Sequence, residues 1–426
     1  MIIKRDKYLN KLIRKINNGM IKVITGIRRS GKSFLLFNLF YDYLLESGVP
    51  DSHIMRIALD DEEYAELRNP DVLRKYISEK IIDKEQYYVF LDEAQYAISK
   101  EEMKDQDKPI RLYGILNGLI QKKNVDVYIT GSNSKFLSTD IMTEFRGRGD
   151  KIHVAPLSFS EFYPASGKGK TDAWNEYAMY GGLPHILEEE TYEDKISYLE
   201  NLNKEIYLRD LVERYDIRNE TGMETVMKIL ASSVGSLCNP QKISDTFVSS
   251  GIKGVSMPTV SNYLTYMTEA FIVSKAERYD VKGRKYISTP SKYYYTDIGL
   301  RNALLNFRQF EETHIMENIL YNELIYRGYN VDVAVVECNV TENGRHKKKQ
   351  YEVDFVVNRG SERCYIQSAF AIPNADKMNQ EQAGLIAIPD SFKKIIVTKE
   401  GLTWTNERGI TIMNIYDFLM NDRSFG

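Results

Sequence analysis

Residues 26–33 read G-I-R-R-S-G-K-S, with the two glycines five positions apart and Lys-Ser following the second. That spacing suits polyphosphate chemistry. Gly26 and Gly31 let the backbone curl so that successive N–H groups face one centre, Lys32 brings a positive charge on a long stem, and Ser33 brings a hydroxyl that can ligate Mg²⁺. A second constellation, Asp92–Glu93, closes the apolar run Y-Y-V-F-L at 87–91. Asp92 is expected to hold the Mg²⁺ shell and Glu93 to polarise an attacking water as general base. Together the two constellations predict that the chain binds ATP with Mg²⁺ and hydrolyses it. A third candidate follows the apolar run V-D-V-Y-I-T at 125–130, where G-S-N-S offers Asn133, or else Ser132, as a sensor of the γ-phosphate.

These side chains need elements to hold them. Ile21 to Ile24 reads as a buried strand and Ser33 to Tyr43 as a helix, so the glycine loop would sit at a helix N-terminus, where unpaired N–H groups and the helix dipole attract phosphate. Tyr87 to Leu91 reads as a central parallel strand carrying Asp92 at its C-terminal end, where sheets of this kind place ligand chemistry. Further strands at 55–59 and 125–130, with a helix around 110–121, predict a parallel sheet covered on both faces. After Pro156 the pattern turns helical through about Leu230, and the mixed charges of 204–218 predict a solvated or inter-subunit helix face.

With E-F-R-G-R-G-D-K-I-H-V-A-P-L-S-F-S-E-F at 144–162, G-G-L-P at 181–184 and Y-L-R-D-L at 207–211, the chain resembles the prokaryotic AAA-type ATPases that carry a C-terminal domain of unknown function. In that family the C-terminal part resembles the PD-(D/E)xK restriction-endonuclease-like fold. The resemblance spans nearly the whole chain. It implies an α/β fold: a P-loop NTPase parallel-sheet core over 1–165, a helical lid over 166–223 and a setting related to DNA. It also implies that Arg148, with Arg146 as fallback, reads the γ-phosphate in cis or from a neighbouring subunit; Arg28 and Arg29, within the loop, are expected to be solvated.

Residues 224–290 suggest a winged-helix module: helices over 225–237, 239–249 and 258–270, then wing strands at 271–276 and 285–288. Thr259, Ser261, Asn262 and Tyr266 would face double-stranded DNA, with Lys282, Arg284 and Lys285 approaching phosphates from the wing. Over 291–426 a helix at 314–327 carrying Glu317 and Glu323, then strands at 331–336, 351–357 and 363–370, resembles the PD-(D/E)xK core. Asp354 stands where that pattern needs its aspartate, but Gln367 and Ala369 stand where it needs Glu and Lys. A neutral amide and a methyl offer neither the second carboxylate nor the positive charge, so nuclease chemistry is not expected. The basic run R-H-K-K-K at 345–349 is expected in a hairpin loop.

Composition bounds the partners. The 426 residues, with 57 basic and 60 acidic side chains, form several domains and carry no global polycationic field, so any DNA contact is local. Three cysteines far apart (Cys238, Cys338, Cys364) suggest neither zinc nor a disulfide framework. No apolar run is long enough to span a membrane and no signal peptide is read, so the cytoplasm is expected. A protein client or self-association is compatible with the same features, as is the alternative of a nucleotide-gated binding switch with little turnover.

Overall fold

The computed structural model describes residues 2–99, 101–102, 110–132, 147–249, 254–342 and 345–424, without the side chains of 340–346. Two compact units result: Met1–Pro156 with Glu269–Phe271, and Leu157–Thr268 with Ile272–Gly426.

The first unit is built on five parallel strands: β1 (Ile21–Thr25), β2 (Ile54–Ala58), β3 (Tyr87–Asp92), β4 (Val125–Gly131) and β5 (Gly149–His153). Their spatial order is β2-β3-β4-β1-β5. Every strand pair is parallel, and β1, β3 and β4 are buried along their whole length, as the near-continuous apolar runs require when helices cover both faces. On one face Leu73 and Ile77 of the helix Pro70–Lys80 and Leu112, Leu116 and Leu119 of the helix Arg111–Ile120 pack against Val23, Ile57, Val89 and Val127. On the other, Phe40 from the helical segments after the phosphate loop packs against Phe90 and Tyr128, with ring centroids 5.6 and 4.9 Å away. One charged pair lies inside this sheet: the Lys22 ammonium donates to Asp126, which also accepts from the Tyr128 hydroxyl at 2.7 Å and the Asn17 N–H at 3.0 Å.

The consequence for the site is positional. β4 stands between β1 and β3, so its C-terminal end faces both the phosphate loop after β1 and the acidic pair ending β3.

The second unit begins with helices, among them Phe159–Ser166 and Lys170–Tyr180. The turn G-G-L-P that follows is held by Asp297: its carboxylate accepts from the Gly182 N–H at 2.7 Å, the Gly299 N–H at 2.9 Å and the Leu300 N–H at 3.2 Å. A β-carbon at Gly181 would meet that carboxylate at 2.1 Å, which excludes any larger residue. Helices Glu220–Ser232, Pro240–Ser249 and Met257–Glu269 come next, then β7 (Val273–Asp280) and β8 (Lys285–Tyr295).

A nine-stranded sheet then spans the unit in the order β13-β14-β12-β11-β10-β9-β7-β8-β6, with β6 Leu237–Cys238, β9 Asn330–Glu342, β10 Arg345–Arg359, β11 Glu362–Ala369, β12 Lys393–Thr398, β13 Trp404–Thr405 and β14 Thr411–Asn414. Two expectations are corrected here. β7 pairs in parallel with β9, so hydrogen bonds run straight across the division expected between 290 and 291. The basic run 345–349 lies in strand β10, paired from Arg345↔Glu342 to Lys349↔Cys338, and not in a loop; alternation carries it along a ribbon whose polar edges tolerate the charge.

Candidate nucleotide site

The loop after β1 owes its shape to backbone geometry that the glycines permit. Gly26 has φ 146°, and a β-carbon there would lie 2.1 Å from the Val154 carbonyl oxygen. Gly31 has φ 89° and caps the helical segment beginning at Lys32. The Lys32 side chain is buried and folds back to donate to the Gly26 carbonyl at 3.1 Å and the Ile27 carbonyl at 3.0 Å. Burial lowers its pKa, while Glu93 and Asp92 pull it back up. The two acids therefore feel the loop lysine although they come from a strand that does not touch β1.

Asp92 is buried, which raises its carboxyl pKa, and hydrogen bonds from Ser33 and Thr130 counter that rise. The Thr130 hydroxyl donates to Asp92 and accepts from the Glu93 N–H at 3.0 Å. Glu93 itself adopts a left-handed conformation, φ 48° and ψ 51°, that few residues with a side chain occupy. Gln95 donates to its carboxylate, and the Ser132 hydroxyl lies 3.4 Å away. Arg28 is not simply solvated: its Nε donates to Ser132 Oγ at 3.4 Å, at the mouth of the same site. Next to the loop, burial, with Lys151, Lys32 and Lys11 nearby, pushes the His153 imidazole down to about 4, so it is neutral at pH 7.

Gly26, Gly31, Lys32, Ser33, Asp92 and Glu93 thus converge at the C-terminal ends of the strands. Arg148 does not join them. Its carbonyl accepts from the Ile21 N–H at 2.9 Å, which fixes it at the N-terminal end of β5. The length of β1, about 13 Å at 3.3 Å per residue, separates it from the loop. That is beyond the reach of an arginine side chain, so the cis role is corrected. Asn133 and Arg146 lie outside the described residues. Thr130 was missed because a threonine ending an apolar strand looks like ordinary β-propensity; only the order β3-β4-β1 shows that it touches both acids.

The second unit holds a separate charged cluster. Lys292 of β8 places Nζ 3.1 Å from Glu317 Oε1, 3.0 Å from Glu352 Oε1 and 3.2 Å from Asp354 Oδ1. The Tyr294 hydroxyl donates to Glu317 at 2.7 Å. Burial, then the Asp354 charge, pushes Glu317 up to about 7. Burial opposes the Lys292 charge, yet Asp354, Glu317 and Glu352 hold its pKa above the ordinary value. Gln367 accepts from the Asp354 N–H at 3.3 Å and donates to Glu381 at 3.1 Å, while Ala369 packs in the core with Leu385. The ammonium absent at 369 is therefore present, delivered by a different strand.

Residues 18–163 match a family described as an AAA domain, and residues 171–311 match a domain of unknown function, DUF8612. An uncharacterized protein of Haemophilus influenzae is 32% identical over 426 residues, covering 98% of this chain and 99% of its own. The chain belongs to one family with this protein, and its residues 18–163 carry the AAA domain. The uncharacterized protein MJ1544 of Methanocaldococcus jannaschii is 29% identical over 412 residues, covering 91% of this chain and 83% of its own. Among solved structures, the Walker-type ATPase PABY2304 of Pyrococcus abyssi shares the fold with a TM-score of 0.50 at 16% identity, over 71% of this chain and 96% of that one. Family membership accounts for the parallel sheet and the phosphate loop. No helix among the described residues is long and apolar enough to cross a membrane.

Proposed function

We propose that this AAA-type protein is a Mg²⁺-dependent ATPase that couples nucleotide state to movement of C-terminal DNA- or protein-binding domains. The observation that carries the catalytic half is the meeting of Ser33, Asp92 and Thr130 in one hydrogen-bonded set beside Lys32. A hydroxyl and a carboxylate are hard oxygen donors that suit Mg²⁺ when phosphate oxygens complete the shell. Bound there, the cation would neutralise phosphate charge.

Lys32 exchanges its two backbone carbonyls for β- and γ-phosphate oxygens, which are stronger acceptors for an ammonium. Glu93 releases Gln95 and orients the attacking water, taking its proton as general base. Thr130 keeps the two acids in register, and Ser132, Arg28 and Asn133 report on the γ-phosphate. An arginine contribution from Arg148 arises in this reading only from a neighbouring subunit.

Support for the binding half is topological. Three helices (Glu220–Ser232, Pro240–Ser249, Met257–Glu269) followed by the β7–β8 hairpin fit a winged helix. The succession of Glu312–Tyr326, β9, β10, β11, Ala375–Ala387 and β12, with β11 parallel to β12, fits a restriction-endonuclease-like core. Nuclease chemistry is not part of the reading, because a metal ion would have to displace a buried ammonium that touches all three carboxylates of the Lys292 cluster.

The test is ATP turnover with and without double-stranded DNA for the wild type and Glu93→Gln. We expect measurable turnover that falls at least about a hundredfold in the variant while nucleotide binding persists. Equal rates in the two proteins would overturn the assignment. Mg²⁺-dependent plasmid nicking is expected to be absent.

A further inference from the structure

Two basic segments far apart in the chain meet on the second unit. Asp280, at the end of β7, pairs with Val335 of β9, and the Val281 N–H donates to the Val335 carbonyl at 3.0 Å. The turn K-G-R-K at 282–285 is thereby laid against β9. Lys282 reaches along that strand, donating to the Glu337 carbonyl at 2.9 Å with its Nζ 3.2 Å from Cys338 Sγ. Directly across from Cys338, in β10, stands Lys349; Lys348 faces Asn339 and Lys347 faces Val340. Beyond the last β7 pairing, β9 and β10 continue as a two-stranded ribbon.

The six cations Lys282, Arg284, Lys285, Lys347, Lys348 and Lys349 are all exposed. Alternation sends Lys347 and Lys349 to one face and Lys348 to the other, with the like-facing pair about 7 Å apart along the strand. Among the described side chains, two carboxylates touch this surface: Asp280, which accepts from the Gly283 N–H at 2.9 Å, and Glu337, 3.7 Å from Lys348. The local charge is positive in a chain whose total is −3. Neighbouring side chains such as Gln350 and Asn339 are polar, which suits a repeating polyanion better than an apolar peptide ligand. Neutralising regularly spaced phosphates needs charge and an extended shape, and a two-stranded ribbon supplies both.

We infer that this turn-and-ribbon surface binds the phosphodiester backbone of a nucleic-acid duplex. The inference rests on the DNA-binding reading above and moves the main contact from the helix Met257–Glu269 to the ribbon. In that helix Tyr266 is engaged elsewhere, stacked on Tyr215 with ring centroids 3.8 Å apart.

The experiment is fluorescence anisotropy of a labelled duplex of about 20 base pairs against the full chain, across a salt series. The variants are Lys347→Gln/Lys348→Gln/Lys349→Gln, Lys282→Gln/Arg284→Gln/Lys285→Gln and Thr259→Ala/Asn262→Ala. Each cation-removing triple should weaken binding at least about tenfold. It should also flatten the slope of log affinity against log salt by roughly 0.9 per lost contact. Lys347→Arg/Lys348→Arg/Lys349→Arg should keep both, which separates loss of charge from loss of fold, as does an unchanged thermal melt. A duplex RNA of the same sequence shows which backbone is bound, and binding of either supports the surface. Binding that ignores both triples but falls in Thr259→Ala/Asn262→Ala would overturn the ribbon and leave the DNA-binding reading standing. No binding of any duplex at 50 mM salt, about the lower end of the range used for such slopes, would overturn both.

Discussion

Lys292 Nζ lies 3.2 Å from Asp354 Oδ1, although 62 positions separate the two residues in the chain. The contact joins β8 to β10 across the core of the second unit and closes a cluster that also holds Glu317 and Glu352. Burying Glu317 and Asp354 without a counter-charge is costly, and one ammonium, which also meets the partly exposed Glu352, offsets them. Lys292→Met should therefore destabilise the protein by roughly 3–5 kcal/mol at pH 7, read from the denaturant midpoint. Adding Glu317→Gln to that variant should recover part of the loss. An unchanged midpoint in Lys292→Met would show that the cluster is neutral in the folded state.

Thr130 serves both acids of the nucleotide site. Thr130→Val keeps the shape of the side chain and removes the hydroxyl, leaving Asp92 and the Glu93 N–H each without one partner. Turnover should fall about 10–100-fold, as it does when the support of a metal ligand is lost, while binding of a fluorescent nucleotide changes little. Thr130→Ser should recover most of the rate. Parallel losses in Val and Ser variants would argue against a positioning hydroxyl.

His153 gives the first unit an acid-sensitive term. Its ordinary pKa is 6.5, and burial holds it at about 4 in the folded chain. The unfolded chain thus takes up a proton that the folded chain refuses, so stability present above pH 6.5 is lost as the pH falls toward 4. The contribution is at most roughly 3 kcal/mol. Burial holds Asp297 at about 6 and Glu317 at about 7, and these act in the opposite sense between about pH 4 and 7. The difference between wild type and His153→Gln isolates the histidine: melting curves of the two should converge with acidification below pH 6.5. Curves that stay parallel from pH 7 to 4 would contradict it.

Gly26→Ala places a methyl group against the Val154 carbonyl, which belongs to the backbone and cannot swing aside. Nucleotide binding should be lost and the melting temperature lowered by several degrees. Gly48→Ala is a useful control, since its φ of 88° is also positive but nothing stands within 4 Å of the added methyl.

Arg148 stands at the wrong end of β5 to serve its own phosphate loop. Arg148→Ala should leave turnover within about twofold at dilutions where the chain is monomeric. If subunits associate, mixing Arg148→Ala with Lys32→Ala should restore part of the activity, because each supplies what the other lacks. A tenfold loss in the dilute variant would mean that Arg148 acts on the nucleotide of its own chain.

Much of the first unit is legible in the sequence, because its chemistry rests on local geometry. Glycines five apart, a lysine and a serine at a helix start, and two acids ending an apolar strand are read by spacing alone, and the fold gathers them at one end of the sheet. Their strands read correctly because buried parallel strands are almost wholly apolar. Arg148 was read from a motif whose sequence distance says nothing about which end of the sheet it occupies, and Thr130 shows its role only once β4 lies between β1 and β3. In the second unit the residues at 367 and 369 suggested that a positive charge was missing. The tertiary structure decided otherwise, because Lys292 on β8 brings an ammonium to Asp354 from across the sheet. The same pairing of β7 with β9 turned two separate basic runs into one surface. Local backbone conformation and burial leave their mark on spacing and composition, whereas strand order and long-range pairing are set by which faces can be buried together, and no single segment records that.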